Sequence, residues 1–211
     1  MPDAESKRPR NTASRRSVCG MSGTATVRRM NLLANALLAW AIASPAAPNL
    51  SVETTRHGPA VEVRAYALVE ALHATVWGTV TDYDRLAQFV PGMRSSRVVA
   101  QRNGDLVVEQ HGETRFLFFH HPVDVTLLAT ARPPDAVEVH LLSGNLKRLD
   151  GVYRLESAGP GRIALRWTGL IEPDNLPPLL GELVMRATIE AQFTGMVREI
   201  ERREALRGKA R

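Results

Sequence analysis

The chain has 211 residues, enough for one domain and a short extension, with 27 Lys and Arg residues against 22 Asp and Glu residues. The basic excess lies in residues 1–47, which hold seven basic and two acidic residues, whereas residues 48–211 hold 20 of each. A body without net charge argues against nucleic acid as a partner, because no overall field attracts a phosphate backbone. Cys19 is the only cysteine, so residues 48–211 offer no disulfide, thiolate nucleophile or cysteine metal ligand.

Residues 1–47 have the layout of an export leader. Arg28 and Arg29 precede an apolar run at 32–43, and small residues follow it as far as Ala47. This order is typical of a secretory signal peptide, and the run is too short to span a bilayer. We therefore expect cleavage near Ala47 and export to the periplasm or the medium. The alternative is a buried first helix of the domain.

Two details of the leader stay open. Met1, Met21 and Met30 are each possible start residues, because residues 1–20 are polar and lack periodicity. The pairs Arg15-Arg16 and Arg28-Arg29 do not decide between the general and the twin-arginine export routes, because no full motif follows either pair.

The first part of the body predicts one strand and one interrupted helix. Residues 48–60 are interpreted as a linker, and alternation at 61–65 predicts a strand. Apolar residues at steps of three and four predict a helix over 72–89, and Pro91-Gly92 ends it. Within it, an Asp side chain is expected to cap a second short helix after residue 81.

The middle of the chain alternates short extended runs with turn residues. Asn103-Gly104-Asp105 is the clearest hairpin signal. Regular short strands separated by such turns indicate one antiparallel sheet rather than βαβ units. The predicted strands cover 97–101, 106–110, 115–120, 123–130, 137–142, 151–156 and 163–169.

A long amphipathic helix is predicted over 179–207, with a charged tail at 204–211. The apolar side chains recur at steps of four, four, three and four residues, which places them on one helix face. A long helix lying across a curved antiparallel sheet leaves space between the two layers, so the fold class is α+β with an internal cavity. The residues of this apolar stripe are Met185, Ile189, Phe193, Met196 and Ile200.

Two motifs carry a resemblance to a known family. The first is Asp82-Tyr83 followed by Phe89-x-Pro91, and the second is Gly151-x-Tyr153-x-Leu155. With the order of elements, they make residues 61–203 resemble the START-like superfamily, and within it the polyketide cyclase/dehydrase and coenzyme Q-binding group. The resemblance implies a helix-grip fold, a curved sheet wrapped around the C-terminal helix, with a cavity for a lipid, quinone or polyketide-like ligand. The superfamily contains both enzymes and binders, so the fold does not choose between them.

Several polar residues are candidate catalysts or metal ligands. His120 and His121 are neighbours on a predicted strand, so their side chains point to opposite faces and do not share an ion. His111 and Glu113 share a face, but no metal-binding spacing accompanies them. Asp82 and Asp84 flank a helix break, where Asp is ordinary capping chemistry. Ser95, Ser96 and Ser143 lack the context of a nucleophile elbow. We therefore predict no catalytic residue, metal or cofactor.

The ligand-binding prediction rests on the helix stripe and two aromatic strand residues. The predicted ligand contacts are Met185, Ile189, Phe193, Met196, Tyr153 and Trp167. A plain core is the competing interpretation of the stripe. Any polar group inside the cavity is expected from Arg115, Tyr153, Arg166 or Trp167, although the pattern does not say which face is inside.

The sequence thus predicts an exported binder or carrier of a hydrophobic small molecule, with at most transient membrane contact. Two alternatives remain, a polyketide cyclase or aromatase-like enzyme and a protein-interaction module that uses the sheet face. An export signal counts against the enzyme, because carrier-bound polyketides are cytoplasmic. Ligand identity and oligomeric state are not determined by the sequence.

Overall fold

The computed structural model describes residues 49–116, 119–174 and 178–210. The predicted leader at 1–47, with its apolar run at 32–43, lies outside these residues. The eight strands of the described part are β1 (Leu50–His57), β2 (Ala60–Glu70), β3 (Met93–Arg102), β4 (Asp105–Phe116), β5 (Phe119–Arg132), β6 (Ala136–Gly144), β7 (Leu146–Ser157) and β8 (Arg162–Pro173). Its helices are α1 (His73–Val80), a 3-10 helix (Tyr83–Gln88) and α2 (Pro178–Lys209).

All eight strands form one antiparallel sheet in the order β1-β2-β8-β7-β6-β5-β4-β3. After the β1–β2 hairpin, α1 and the 3-10 helix carry the chain to the far edge of the sheet. The strands then return one neighbour at a time until β8 pairs with β2. α2 lies against the concave face of this curved sheet. The predicted helix-grip fold is confirmed.

The predicted β3–β4 hairpin is confirmed in its turn chemistry. Arg102 pairs with Asp105, which leaves a two-residue turn of Asn103 and Gly104. Both turn residues have positive φ, 52° and 96°. Asn-Gly is the usual pair for such a turn, because its twist matches that of the flanking strands.

The core lies between the concave face and α2. On β2 every second residue from Val61 to Val69 is buried, as the period of a strand requires. The matching face of β8 contributes Leu165 and Trp167. Opposite them, Phe193 and Ile200 of α2 are 2% and 0% exposed. Burial of these apolar side chains is the main stabilising contribution, at about 25 cal/mol per Å².

The predicted linker at 48–60 is wrong over most of its length, since Leu50–His57 is β1 and pairs with β2 along its whole length. β1 is an edge strand, and Val52 is its only buried residue. Its polar, exposed side chains gave it the composition of a linker. The domain therefore begins before residue 61.

The predicted end of the domain also moves, because α2 continues through the expected charged tail as far as Lys209. The Glu204 carboxylate accepts hydrogen bonds from the Leu72 backbone N–H at 3.2 Å and the Thr75 hydroxyl at 2.5 Å. These contacts tie the last turns of α2 to α1. The charges near the C-terminus are thus part of the folded domain.

Two local predictions also need correction. The expected strand at 115–120 is divided between the end of β4 and the start of β5, which pair as a hairpin. The helix break at Asp82 occurs as predicted, but no Asp side chain caps the 3-10 helix. Asp82 instead bonds to Arg85 and Arg203, because a guanidinium is a stronger partner for a carboxylate than a backbone N–H.

Candidate functional site

A cavity of about 200 Å³ lies between the concave face of the sheet and the first half of α2. Strands β4 to β8 form its floor, and α2 forms its roof. Val80 at the end of α1 and Tyr83 of the 3-10 helix close its inner end, together with Leu86 and Val90. The space predicted between helix and sheet is therefore present.

All six residues predicted to contact a ligand lie on the wall of this cavity: Met185, Ile189, Phe193, Met196, Tyr153 and Trp167. Tyr153 lies between two other rings. Its ring centroid is 6.3 Å from that of Phe193 in a stacked arrangement and 6.1 Å from that of Trp167 in a tilted one. These contacts fix the aromatic part of the wall. Whether the six residues bind a ligand remains a prediction.

Two glycines make room for Trp167. Gly151 and Gly169 pair across β7 and β8, and the indole ring of Trp167 lies over both. A Cβ at Gly151 would come within 2.9 Å of the indole, and one at Gly169 within 2.4 Å. Both glycines therefore allow the indole to lie flat on the sheet. This contact gives a physical reason for the glycine two residues before Tyr153.

A third glycine brings α2 close to the loop after the 3-10 helix. A Cβ on Gly195 would lie 2.2 Å from the Phe89 carbonyl oxygen and 2.5 Å from the Pro91 ring. Any side chain there would push the helix outward. The close approach packs α2 against the Pro91 ring, which gives a physical reason for the proline of the Phe89-x-Pro91 motif.

The inner end contains two phenol groups in apolar surroundings. The Tyr83 hydroxyl is buried without a hydrogen-bond partner. Burial raises the pKa of Tyr83 to about 12. Burial also raises the pKa of Tyr153, and the nearby Tyr83 adds to this effect. Both phenols stay protonated at neutral pH, so each can donate a hydrogen bond but cannot act as a base.

The opposite end of the cavity is more polar. The rim residues of β4 run from Gln110 to Thr114, and Thr114 pairs with His121 of β5. Thr188 and Gln192 face them from α2 and are half-buried. His121 Nε2 is buried and has no hydrogen-bond partner. We take this end as the mouth.

Charged groups hold the second half of α2 on the inner end. The Arg203 guanidinium donates to Asp82 at 2.8 Å, to Glu199 at 2.7 Å and to the Gly78 carbonyl at 3.1 Å. Arg202 makes two further bonds to Glu199, at 2.6 and 2.7 Å. These guanidinium groups lower the pKa of Glu199 to about 2, with Arg202 the larger cause.

Three of the other polar candidates, His111, Glu113 and Asp84, have structural partners. His111 lies 2.8 Å from Asp124, and Glu113 lies 3.5 Å from Arg94. Asp84 accepts a hydrogen bond from the Val98 backbone N–H at 2.8 Å. Within the described residues, no group of three His, Cys, Asp or Glu side chains is placed to hold a metal ion.

Arg166 was a wrong candidate for a polar group inside the cavity. Trp167 points inward, so the alternation of the strand turns Arg166 to the outer face. There it bonds to Glu156 at 2.9 Å and lies 4.8 Å from the centre of the Tyr66 ring. The side chain of Arg115 lies outside the described part of the structure.

Sequence reasoning missed the polar group at the inner end. Tyr83 enters the sequence analysis only through the Asp82-Tyr83 motif, yet it lines the cavity and its hydroxyl is buried without a partner. It also missed the strand residues of the floor, among them Val108, Ala129 and Val139. Alternation showed which residues share a face, but it did not show which face is concave.

The cavity between a curved antiparallel sheet and a long C-terminal helix defines a START-like, helix-grip fold. The model of the family described as "Polyketide cyclase / dehydrase and lipid transport" matches residues 69–202. The chain belongs to this family. No functionally curated protein matches the sequence significantly.

Solved structures support the same fold at low sequence identity. The Zhui aromatase/cyclase from a Streptomyces species is 15% identical with a TM-score of 0.58, over 70% of this chain and 95% of that one. A STAR-related lipid transfer protein from Xanthomonas axonopodis is 12% identical with a TM-score of 0.58, over 73% and 94%. A START superfamily protein from Mycobacterium smegmatis is 15% identical with a TM-score of 0.57, over 69% and 97%. None of the described helices is long and apolar enough to cross a membrane.

Proposed function

We propose that the protein binds and carries a hydrophobic small molecule in the cavity under α2. The observation that carries this proposal is the composition of the cavity wall. Apolar side chains from the sheet, the 3-10 helix and α2 surround the space, and half-buried polar groups are concentrated at the mouth. Such a site gains affinity by removing apolar ligand surface from water, at about 25 cal/mol per Å².

The size of the cavity limits the ligand. An apolar cavity of about 150 Å³ can bind benzene. At about 200 Å³ this cavity holds a compact ring system or one end of a longer molecule. A complete lipid or a long polyketide would have to extend through the mouth, or α2 would have to move away from the sheet.

A cyclase-like enzyme is the second candidate, and the two phenols at the inner end favour it. Tyr83 and Tyr153 could orient a carbonyl group of a reactive chain. Their raised pKa values work against proton abstraction at neutral pH, because neither phenol ionises there. The described cavity wall therefore supports binding and orientation better than acid–base catalysis.

Export is the other part of the proposal, and it rests on the leader sequence alone. Arg28, Arg29 and the apolar run at 32–43 support a carrier that works in the periplasm or outside the cell, with transient membrane contact during transfer. N-terminal sequencing of the protein from its native host should begin near Ala47. Intact residues 30–60 in the cytoplasmic fraction would contradict export and leave the cavity proposal untouched.

The binding proposal is tested by native mass spectrometry followed by solvent extraction of the purified protein. We expect either a co-purified apolar molecule or saturable binding of a neutral naphthylamine fluorophore that unlabelled apolar compounds displace. Absence of both would contradict the proposal. Cyclisation of a polyketone chain by the purified protein would favour the cyclase-like enzyme over the carrier.

A further inference from the structure

The two edge strands of the sheet are built differently. Within the described residues, β1 and β3 each have a neighbouring strand on one side only. β3 has two register shifts against β4, at 93–95 and 98–100, and such irregularities protect a sheet edge from pairing with another chain. β1 instead pairs with β2 in unbroken register and contains no proline, glycine or lysine. The β1 edge is therefore suited to pairing with a further strand.

Alternate residues of β1 direct their backbone groups away from β2. The Asn49 carbonyl accepts the N–H of Leu68, the residue directly opposite when the register is continued. Hydrogen-bonded positions alternate along an antiparallel pair, so the odd-numbered residues of β1 bond to β2. The N–H and C=O groups of Val52 and Thr54 thus point to the outer side of the strand. A further strand needs such a row of donors and acceptors.

The sequence of β1 is complementary to itself about a two-fold axis through Thr55. Pairing that keeps both concave faces on one side places Glu53 opposite His57 of the second copy, and Thr55 opposite Thr55. Glu53 makes no hydrogen bond or ion pair among the described residues. His57 contacts Glu62 through Nε2 at 3.0 Å, which leaves Nδ1 to meet a further carboxylate. Both kinds of cross-strand pair are favourable, whereas a register centred on Glu53 would oppose like charges.

We propose that the protein self-associates through β1, as a two-fold dimer in which one antiparallel sheet runs through both copies. β1 lies before residues 69–202, which the family model matches, so this surface belongs to the chain outside the matched part. A polar strand edge buries little apolar surface, so we expect a reversible dimer with a Kd on the order of 10 μM. The cavity floor is formed by β4 to β8, and the dimer is therefore independent of ligand binding.

Cysteine cross-linking tests the register of this dimer. The full chain with Cys19→Ser contains no other thiol. Adding Thr55→Cys places two thiols opposite each other on the axis, at a non-hydrogen-bonded pair whose Cα atoms are about 4.5 Å apart, within the range of a disulfide. Mild oxidation should convert most of this variant into a linked dimer, as seen on a non-reducing gel.

Glu53→Cys in the same Cys19→Ser chain is the matched control. Each cysteine then lies four residues along the strand from its counterpart, about 13 Å away, so it should not form a disulfide. Equal linking of the two variants would indicate random collision, and absence of a link in Thr55→Cys would exclude the register. Either result would overturn the proposal.

Sedimentation velocity over a range of concentrations measures association without an added thiol. Thr54→Pro removes the outward N–H and should weaken the dimer by about tenfold or more, because each copy loses one hydrogen bond across the axis. Thr54→Val is the matched control. It also loses the bond from the Thr54 hydroxyl to Glu182, but it keeps the N–H and should dimerise like the unmodified protein.

Circular dichroism checks that both Thr54 variants are folded. A monomer at every concentration up to the millimolar range in the unmodified protein would overturn the proposal. Full dimerisation of a folded Thr54→Pro variant would also overturn it, because a dimer through the β1 edge requires that N–H. Neither result would affect the proposed binding function.

Discussion

The two halves of α2 share one helix but pack in different ways. The first half places Met185, Ile189 and Phe193 over the cavity. The second half packs Ile200 in the core at 0% exposure and binds the inner-end helices through Arg203, which donates to Asp82 and to the Gly78 carbonyl. The first half covers a space, whereas the second half holds the helix on the sheet.

This difference indicates how the fold combines stability with binding. An opening of α2 at the mouth costs less if the fixed contacts are concentrated at the opposite end. Among the described contacts, the polar tie of the first half to the sheet is the Thr54 hydroxyl to Glu182 at 3.2 Å. The second half is held by Arg203, which bonds to Asp82 and the Gly78 carbonyl, and by Glu204, which bonds to the residues at the start of α1. The N-terminal half is thus the part of α2 from which we expect a ligand to enter.

The largest expected effect separates two isoleucines of the same helix. Ile200→Ala should lower the free energy of unfolding by about 2–5 kcal/mol, because it opens a void in a packed core. Ile189→Ala should lower it by only about 1–2 kcal/mol, since the lost volume joins an existing cavity. Urea unfolding measures both. Equal losses would mean that the two halves are packed alike.

In binding, the order of the two isoleucine variants should be reversed, with the larger effect at Ile189. Ile189→Ala changes the cavity wall and should alter the affinity for the naphthylamine fluorophore. Ile200→Ala lies off the wall and should leave the affinity unchanged at temperatures where the variant is folded. An unchanged Ile189→Ala together with a changed Ile200→Ala would place the site elsewhere.

The next largest effect on the free energy of unfolding is expected from the charged network of Glu199, Arg202 and Arg203. Glu199→Gln leaves Arg202 and Arg203 without their shared carboxylate and should lower the free energy of unfolding by about 1–3 kcal/mol. Glu201→Gln is the matched control on the same helix, because Glu201 is exposed, and its effect should stay within about 0.5 kcal/mol. Chemical unfolding of both variants measures how much this charged network contributes to the free energy of unfolding. Equal small effects would show that the network adds little.

A smaller effect is expected from acid. Their guanidinium partners lower the pKa of Glu199 to about 2 and that of Glu204 to about 2, and the pKa of Asp82 is also lowered. Because the folded pKa lies below the unfolded one, the contribution is complete above about pH 5 and lost as the pH falls toward about 2. Unfolding measured from pH 6 to pH 3 should show this decline, and Glu199→Gln should make it shallower. A slope unchanged by the variant would exclude Glu199 as its source.

The sequence predicted the elements with strong periodic signals. The helix stripe and the Asn103-Gly104 turn follow from local chemistry, so their positions were correct. β1 was missed because an edge strand buries few side chains, and Val52 alone gave no period. A local sequence pattern predicts an element only where the residues of that element carry a periodic or turn signal.

The same limit of local sequence patterns applies to the candidate site. Met185 to Met196 could be assigned to a buried face from helix spacing. The unpaired Tyr83 hydroxyl could not, because its burial depends on residues far along the chain, such as Tyr153, that pack near it in the fold. The role of Gly195 was hidden for the same reason, since its close contact is with a loop about a hundred residues earlier in the chain.

The most direct test of the account fills the cavity. Ala129 lies on the cavity floor, so Ala129→Leu should occupy ligand space, abolish fluorophore binding and leave stability unchanged or slightly higher. Ala65, equally buried in the packed part of the sheet, is the control, and Ala65→Leu should lower the free energy of unfolding by about 1–3 kcal/mol. The decisive measurement is fluorophore titration of the unmodified protein and Ala129→Leu side by side. Saturable binding by the first and none by the second is the predicted result, and undiminished binding by a folded Ala129→Leu variant would contradict the cavity as the ligand site.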